Sequence, residues 1–199
     1  MAVPTSKTGN PWTVLLSKPI YDNPWIAVTE HDVLNPAGKP GIYGVVHMKS
    51  VATGILPIDE QGNTLLVGQY RFPLKAYSWE IPEGGGKLGV PPVESAQREL
   101  AEETGLNARH WHPLATLHLS NSVTDEVAHG FLAWDLEEGI ASPDDTEELQ
   151  IRRVPFSEAF AMAMDGRITD ALAVTLILKA RLLAQAGALP AEVARFLKG

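Results

Sequence analysis

Apolar residues open this chain in short runs, each cut off by Pro, Gly, Asn or Asp. Runs at 12–17, 26–34 and 42–48 have strand character, separated by turn chemistry at Lys18-Pro19, at 22–24 and at 35–40. They predict a small antiparallel sheet. Two further runs, 51–58 and 64–70, flank Asp59-Glu60-Gln61-Gly62-Asn63 and are expected to pair as a hairpin. A short strand over 78–81 precedes a glycine loop. The spacing then changes: Val93, Ala96 and Leu100 make a narrow apolar stripe, which predicts a helix over 92–104. Strands are expected at 111–119, 127–136 and 149–154, with a polar loop at 120–126 and an acidic surface connection at 137–148. Helices are expected at 157–164 and 169–186, split by Asp165-Gly166, with Ser157 and Thr169 as N-caps. Mixed strands with helices between and after them imply an α/β or α+β layer architecture.

Composition narrows the class. The chain has 199 residues, 45% hydrophobic and 20% charged, enough for one large domain or a domain with an appendage. It has no cysteine, which excludes disulfides and thiolate zinc sites and fits a reducing, cytoplasmic setting. The net charge of −8 and the absence of a basic run disfavour a nucleic-acid surface. The first ten residues lack the apolar stretch of a signal peptide. The most apolar segment, 171–186, is interrupted by Lys179 and Arg181 and is too short to span a bilayer, so no membrane association is expected.

The informative feature lies at the end of the helix expected over 92–104. Glu99, Glu102 and Glu103 stand at i, i+3 and i+4, and their side chains leave one face. Like charges at this spacing repel, and they sit near the negative end of the helix dipole. A hard divalent cation with oxygen ligands, such as Mg2+, removes that conflict.

The segment Gly84-Gly-Gly-Lys-Leu-Gly-Val-Pro-Pro-Val-Glu-Ser-Ala-Gln-Arg-Glu-Leu-Ala-Glu-Glu-Thr-Gly-Leu106 resembles the Nudix box, the signature of hydrolases acting on a nucleoside diphosphate linked to another group. Gly84, Arg98, Glu99, Leu100, Glu102, Glu103, Gly105 and Leu106 fall in register; Val90 departs, standing where the pattern has its first Glu. The resemblance covers about 51–183 and implies an α/β/α sandwich with a mixed sheet. The preceding sheet resembles the N-terminal domain of ADP-ribose pyrophosphatases and related sugar-nucleotide hydrolases. Two domains follow: residues 1–50 as an antiparallel subdomain and dimer contact, and 51–199 as the hydrolase domain.

The resemblance also implies roles. Glu99, Glu102 and Glu103 are the expected metal ligands, joined by the main-chain carbonyl of Glu83, with Mg2+ as cofactor and Mn2+ as a substitute. Arg98 is expected to be a structural partner for neighbouring glutamates, Glu94 and Glu102 among them. Gly84 and Gly85 edge the phosphate site. Arg71 and Glu80, in Gln69-Tyr70-Arg71-Phe72-Pro73 and Trp79-Glu80-Ile81-Pro82, are expected to contact substrate; the alternative is an ion pair between them. Glu126 matches a glutamate that serves as general base from outside the box. The alternative is a solvated loop residue, in which case Glu99 or Glu103 activates water. Tyr21, Trp25 and Tyr43 either pack in the sheet or stack on a base, and Ile168-Thr169-Asp170-Ala171 caps the last long helix.

Together these readings predict Mg2+-dependent hydrolysis of a nucleoside diphosphate sugar, ADP-ribose foremost, by a cytoplasmic homodimer with a small-molecule substrate. The alternatives are a pyrophosphohydrolase of dinucleoside polyphosphates or coenzyme A, or a domain that senses a nucleotide without cleaving it.

Overall fold

A computed structural model describes residues 9–142 and 148–198. It contains β1 (Thr13–Asp22), β2 (Ile26–Leu34), β3 (Pro40–Met48), β4 (Ser50–Ile58), β5 (Asn63–Arg71), β6 (Ala76–Glu80), β7 (Glu83–Lys87), α1 (Pro92–Thr104), β8 (Leu106–His118), β9 (Val127–Glu138), β10 (Gln150–Pro155), α2 (Phe156–Asp165), α3 (Ala171–Gln185) and α4 (Ala191–Leu197). The chain divides into two units. One comprises the residues up to Lys49 together with Leu119–Glu126; the other comprises Ser50–His118 and the residues from Val127 onward.

The first unit is an antiparallel sheet in the order β1-β2-β3. β2 and β3 pair without interruption, whereas β1 is irregular between Val14 and Leu16 and between Pro19 and Tyr21. Pro19 has no N–H for a ladder, and an edge strand tolerates that. The strand therefore runs through Lys18-Pro19, which the sequence marks as a turn. Tyr43 meets Trp12 edge-on at 5.2 Å, while Tyr21 and Trp25 stand exposed.

In the second unit the sheet β7-β4-β9-β8 is mixed, because β4 and β9 run parallel while the outer pairs are antiparallel. Helices cover both of its faces, and the pleat shows how. Gly54 and Gly130 are cross-strand partners, and a methyl at either would strike Leu172 or Leu176 of α3. Their chain neighbours Ile55 and Phe131 are also partners. They point the other way, into a core with Ala96 and Leu100 of α1 and with Leu65, Leu106 and Ala133. The Val93, Ala96, Leu100 stripe thus packs as its spacing requires. A second antiparallel sheet, β10-β5-β6, completes the α/β/α arrangement.

Further expectations are corrected, and one element is added. β4 and β5 do not form a hairpin: the turn exists, with Asp59 accepting from the N–H groups of Gln61 and Asn63, but its strands enter different sheets. Buried β4 takes β7 and β9 as partners instead. The glycine loop is strand β7. Thr169 and Ser157 are not the caps: Asp170 accepts from the Ala173 N–H at 2.6 Å to start α3, and α2 begins at Phe156 after Pro155. Finally, the short α4 buries Val193, Ala194 and Leu197 with too few residues to show a period. Of the connection expected at 137–148, β9 takes the first two residues, and 143–147 lie outside the described residues.

Candidate active site

Helix α1 begins with proline in its first turn and stops at Gly105, whose φ of 71° a glycine adopts without strain. Between these ends, one face lies along β7. Ser95 sits against Gly86, the Glu99 carboxylate lies against Gly84, and Glu103 Oε2 accepts from the Glu83 N–H at 3.1 Å. Four helical residues rise about 6.0 Å and two strand residues about 6.6 Å, so the turns carrying Ser95 and Glu99 meet alternate residues of β7, and the next turn reaches the N–H of its first residue. At Gly84 and Gly86 any Cβ would collide with the facing side chain. The glycines are there for close approach, and Thr53 Oγ1 steadies the strand by donating to the Gly84 carbonyl at 3.2 Å.

Arg98 ties this face together. Its Nη2 donates to the Gly85 carbonyl at 2.7 Å and to Glu99 Oε1 at 2.6 Å, and its Nη1 pairs with Glu102. The structural role expected of Arg98 is what the geometry shows, with Glu99 taking the place expected for Glu94. Glu103 is buried and Glu99 nearly so, while Glu102 stays 40% exposed. The three box carboxylates are therefore not equivalent: Glu99 and Glu103 converge on the Glu83–Gly84 main chain, whereas Glu102 pairs with Arg98 and stays partly exposed. Val90 lies in the turn before α1, its N–H donating to the Lys87 carbonyl at 3.2 Å. With Gly85, Lys87, Glu94, Ser95 and Arg98 it lines a cleft of about 560 Å³.

A second acidic group adjoins the first through Glu83. Arg71 Nε donates to Glu80 Oε1 and Oε2 at 2.9 and 3.1 Å, and Nη2 pairs with Glu80 and with Glu83 Oε1, the latter at 2.9 Å. Of the two roles open to Arg71 and Glu80, the ion pair is formed. It holds the Arg71 guanidinium firmly protonated. Oxygens of Glu80, Glu83 and Asp170 all lie within 4.8 Å of one another. Sequence reasoning gave Asp170 only a place in a helix-capping motif. Its acidic character at a helix start was the available signal, but which strand that start faces is set by tertiary packing.

Three carboxylates around one arginine leave negative charge in excess. Burial, then repulsion from Asp170 and Glu80, pushes the Glu83 carboxyl well above the usual carboxylate range, with Arg71 opposing. Among the described residues Glu83 Oε2 is buried without a hydrogen-bond partner. An all-oxygen donor set with surplus negative charge fits a hard divalent cation of the Mg2+ or Mn2+ type.

Glu126 belongs to the other unit. It ends the loop from Leu119, is partly buried, and its carboxyl is raised by that burial. The preceding Asp125 is bound to β3, with Oδ2 at 2.6 Å from His47 Nδ1 and Oδ1 accepting from the Met48 N–H at 2.9 Å. The sequence held no signal for the His47–Asp125 contact, which joins residues 78 apart.

The fold lays an acidic helix over a glycine strand, and comparison with known proteins identifies the family. The NUDIX domain profile matches residues 48–173, and the nucleoside diphosphate sugar hydrolase N-terminal domain profile matches 12–46. An ADP-ribose pyrophosphatase of Bacillus subtilis (strain 168) is 31% identical over 155 residues, covering 76% of this chain and 83% of its own. A GDP-mannose pyrophosphatase of Yersinia enterocolitica is 31% identical over 136 residues, covering 63% and 70%. A crystal structure of an ADP compounds hydrolase superposes with a TM-score of 0.80 over 92% of this chain and 100% of its own, at 23% identity, a likeness of fold. The chain belongs to the Nudix family and is a pyrophosphohydrolase. Among the described residues no helix is long and apolar enough to cross a membrane.

Proposed function

We propose that this enzyme hydrolyses the pyrophosphate bond of a nucleoside diphosphate sugar, with ADP-ribose the leading substrate, in the cytoplasm and as a homodimer joined through its N-terminal domain, residues 1–50. Water adds to one phosphorus and the bond from that phosphorus to the bridging oxygen breaks. ADP-ribose then yields AMP and ribose 5-phosphate. The observation that carries this reading is the convergence of Glu99 and Glu103 on the main chain of Glu83 and Gly84.

In this reading Glu99, Glu102, Glu103 and the Glu83 carbonyl hold Mg2+, or Mn2+ in its place. When bound, such a cation lowers the pKa of water and offsets charge on phosphate oxygens. The chain's own residues do the rest. Arg98 orients Glu99 and Glu102. Gly84 and Gly85, having no side chains, let a phosphate approach the strand. Arg71 and Glu80 form one side of the substrate site, with Arg71 held in place by its carboxylate partners. Glu126 takes the proton from the attacking water, and burial raises its carboxyl, which strengthens it as a base. Similarity to an ADP-ribose pyrophosphatase and the N-terminal profile support the substrate class.

The test is a panel of ADP-ribose, GDP-mannose, other sugar nucleotides, dinucleoside polyphosphates and coenzyme A, with products identified by mass, with and without Mg2+. The expected result is metal-dependent release of AMP and ribose 5-phosphate. A protein that turns over no sugar nucleotide in the panel overturns the reading.

A further inference from the structure

We propose that the His47–Asp125 pair is a positioning device for Glu126, through which the N-terminal sheet sets the base. The inference rests on the assignment of Glu126 above. The loop Leu119–Glu126 has no regular structure of its own, yet it is fastened to β3 along its length. Tyr43 Oη donates to the Ser122 carbonyl at 2.6 Å, the Val46 N–H to the Val123 carbonyl at 2.9 Å and the Asp125 N–H to the Val46 carbonyl at 3.3 Å. Asp125 then closes the fastening with both carboxylate oxygens, one on the Met48 N–H and one on His47.

Glu126 follows directly, and its main chain is held on both sides. Its N–H donates to Thr124 Oγ1 at 3.2 Å, and its carbonyl accepts from the Leu119 N–H at 3.2 Å. A two-point carboxylate contact one residue before the base restricts where the Glu126 side chain starts. Both partners are exposed, 40% for His47 and 51% for Asp125. Exposed pairs add little to folding stability. A pair so well formed and so weakly stabilising is placed to hold geometry, and small displacements of a reacting group are costly to rate.

The experiment compares His47→Ala, Asp125→Ala, His47→Asn, Glu126→Gln and the double variant His47→Ala/Glu126→Gln, measuring kcat, KM and the thermal midpoint on the substrate the panel identifies. Both alanine variants are expected to lose about ten- to a hundredfold in kcat, with KM within about twofold and the thermal midpoint close to wild type. His47→Asn, which places an amide N–H where Nδ1 stands, is expected to recover most of the loss. The double variant is expected to be no slower than Glu126→Gln alone, since the device has nothing left to position. Unchanged kcat in both alanine variants, or full additivity in the double variant, overturns the inference while leaving Glu126 as base. Wild-type turnover by Glu126→Gln removes the base assignment, and this inference with it.

Discussion

Glu103 Oε2 accepts a hydrogen bond from the main-chain N–H of Glu83, 20 residues earlier, and so joins the carboxylate end of α1 to the first residue of the glycine strand. The contact orients Glu103 and fixes the Pro82–Glu83 peptide, immediately before the carbonyl proposed as a metal ligand. Several results follow from this bond and its neighbours.

Glu103→Gln keeps an oxygen for the Glu83 N–H but removes the charge. The expected outcome is a native near-ultraviolet spectrum with kcat/KM reduced at least about a hundredfold, since several kcal/mol of charge stabilisation depends on the ligand. Wild-type turnover with Gln at this position would reject the ligand assignment.

Gly84→Ala introduces a methyl into the space of the Glu99 carboxylate. Either the strand or the carboxylate must move, at a cost of about 1–3 kcal/mol in stability. Activity is expected to fall further than stability explains. Gly85→Ala serves as the control for stability alone, because a methyl there meets only Ser50, at 3.6 Å, while Gly85 itself edges the proposed phosphate site. Denaturant titration alongside kinetics separates the two effects.

Arg71→Met strands Glu80, whose side chain is 3% exposed, and Glu83 together. Removing one member of a buried pair costs about 3–5 kcal/mol, and the lower end applies because Arg71 itself stays one-third exposed. The measurement is the urea midpoint, and the loss is expected to shrink at acid pH, where the stranded carboxylates take up protons.

Asp125 offers a test of linkage. The hydrogen bond from His47, then that from the Met48 N–H, holds its carboxyl below the ordinary 3.8. A lowered folded value means that the unfolded chain binds the proton more readily. The contribution to stability is then complete above the ordinary value and is lost as pH falls through the folded one. The difference in thermal midpoint between wild type and Asp125→Ala, small because the pair is exposed, should therefore narrow below about pH 4. A difference that instead widens below about pH 4 would contradict this assignment.

Much of this site is legible in one dimension because its logic is local. Glu99, Glu102, Glu103 and Arg98 share a helix, so their spacing alone places them on neighbouring turns, and Gly105 marks the stop by its need for positive φ. The inequality of the three glutamates is not legible in this way. Arg98 reaches Gly85 and pairs with Glu102, which stays 40% exposed, while Glu103 finds the Glu83 N–H. Nor does spacing reveal that Gly84-Gly85-Gly86 is a strand, because glycine's low strand preference conceals a role that only the facing helix explains.

By itself the sequence determined the helix, its stop, the acidic face and the succession of strands, all consequences of periodicity and backbone preference within a few residues. Only the tertiary structure decided that β4 and β5 part into different sheets, that Asp170 joins Glu80 and Glu83, and that His47 holds Asp125. Those are choices among partners remote in the chain. Such choices depend on which surfaces can be buried together, and no local pattern records that.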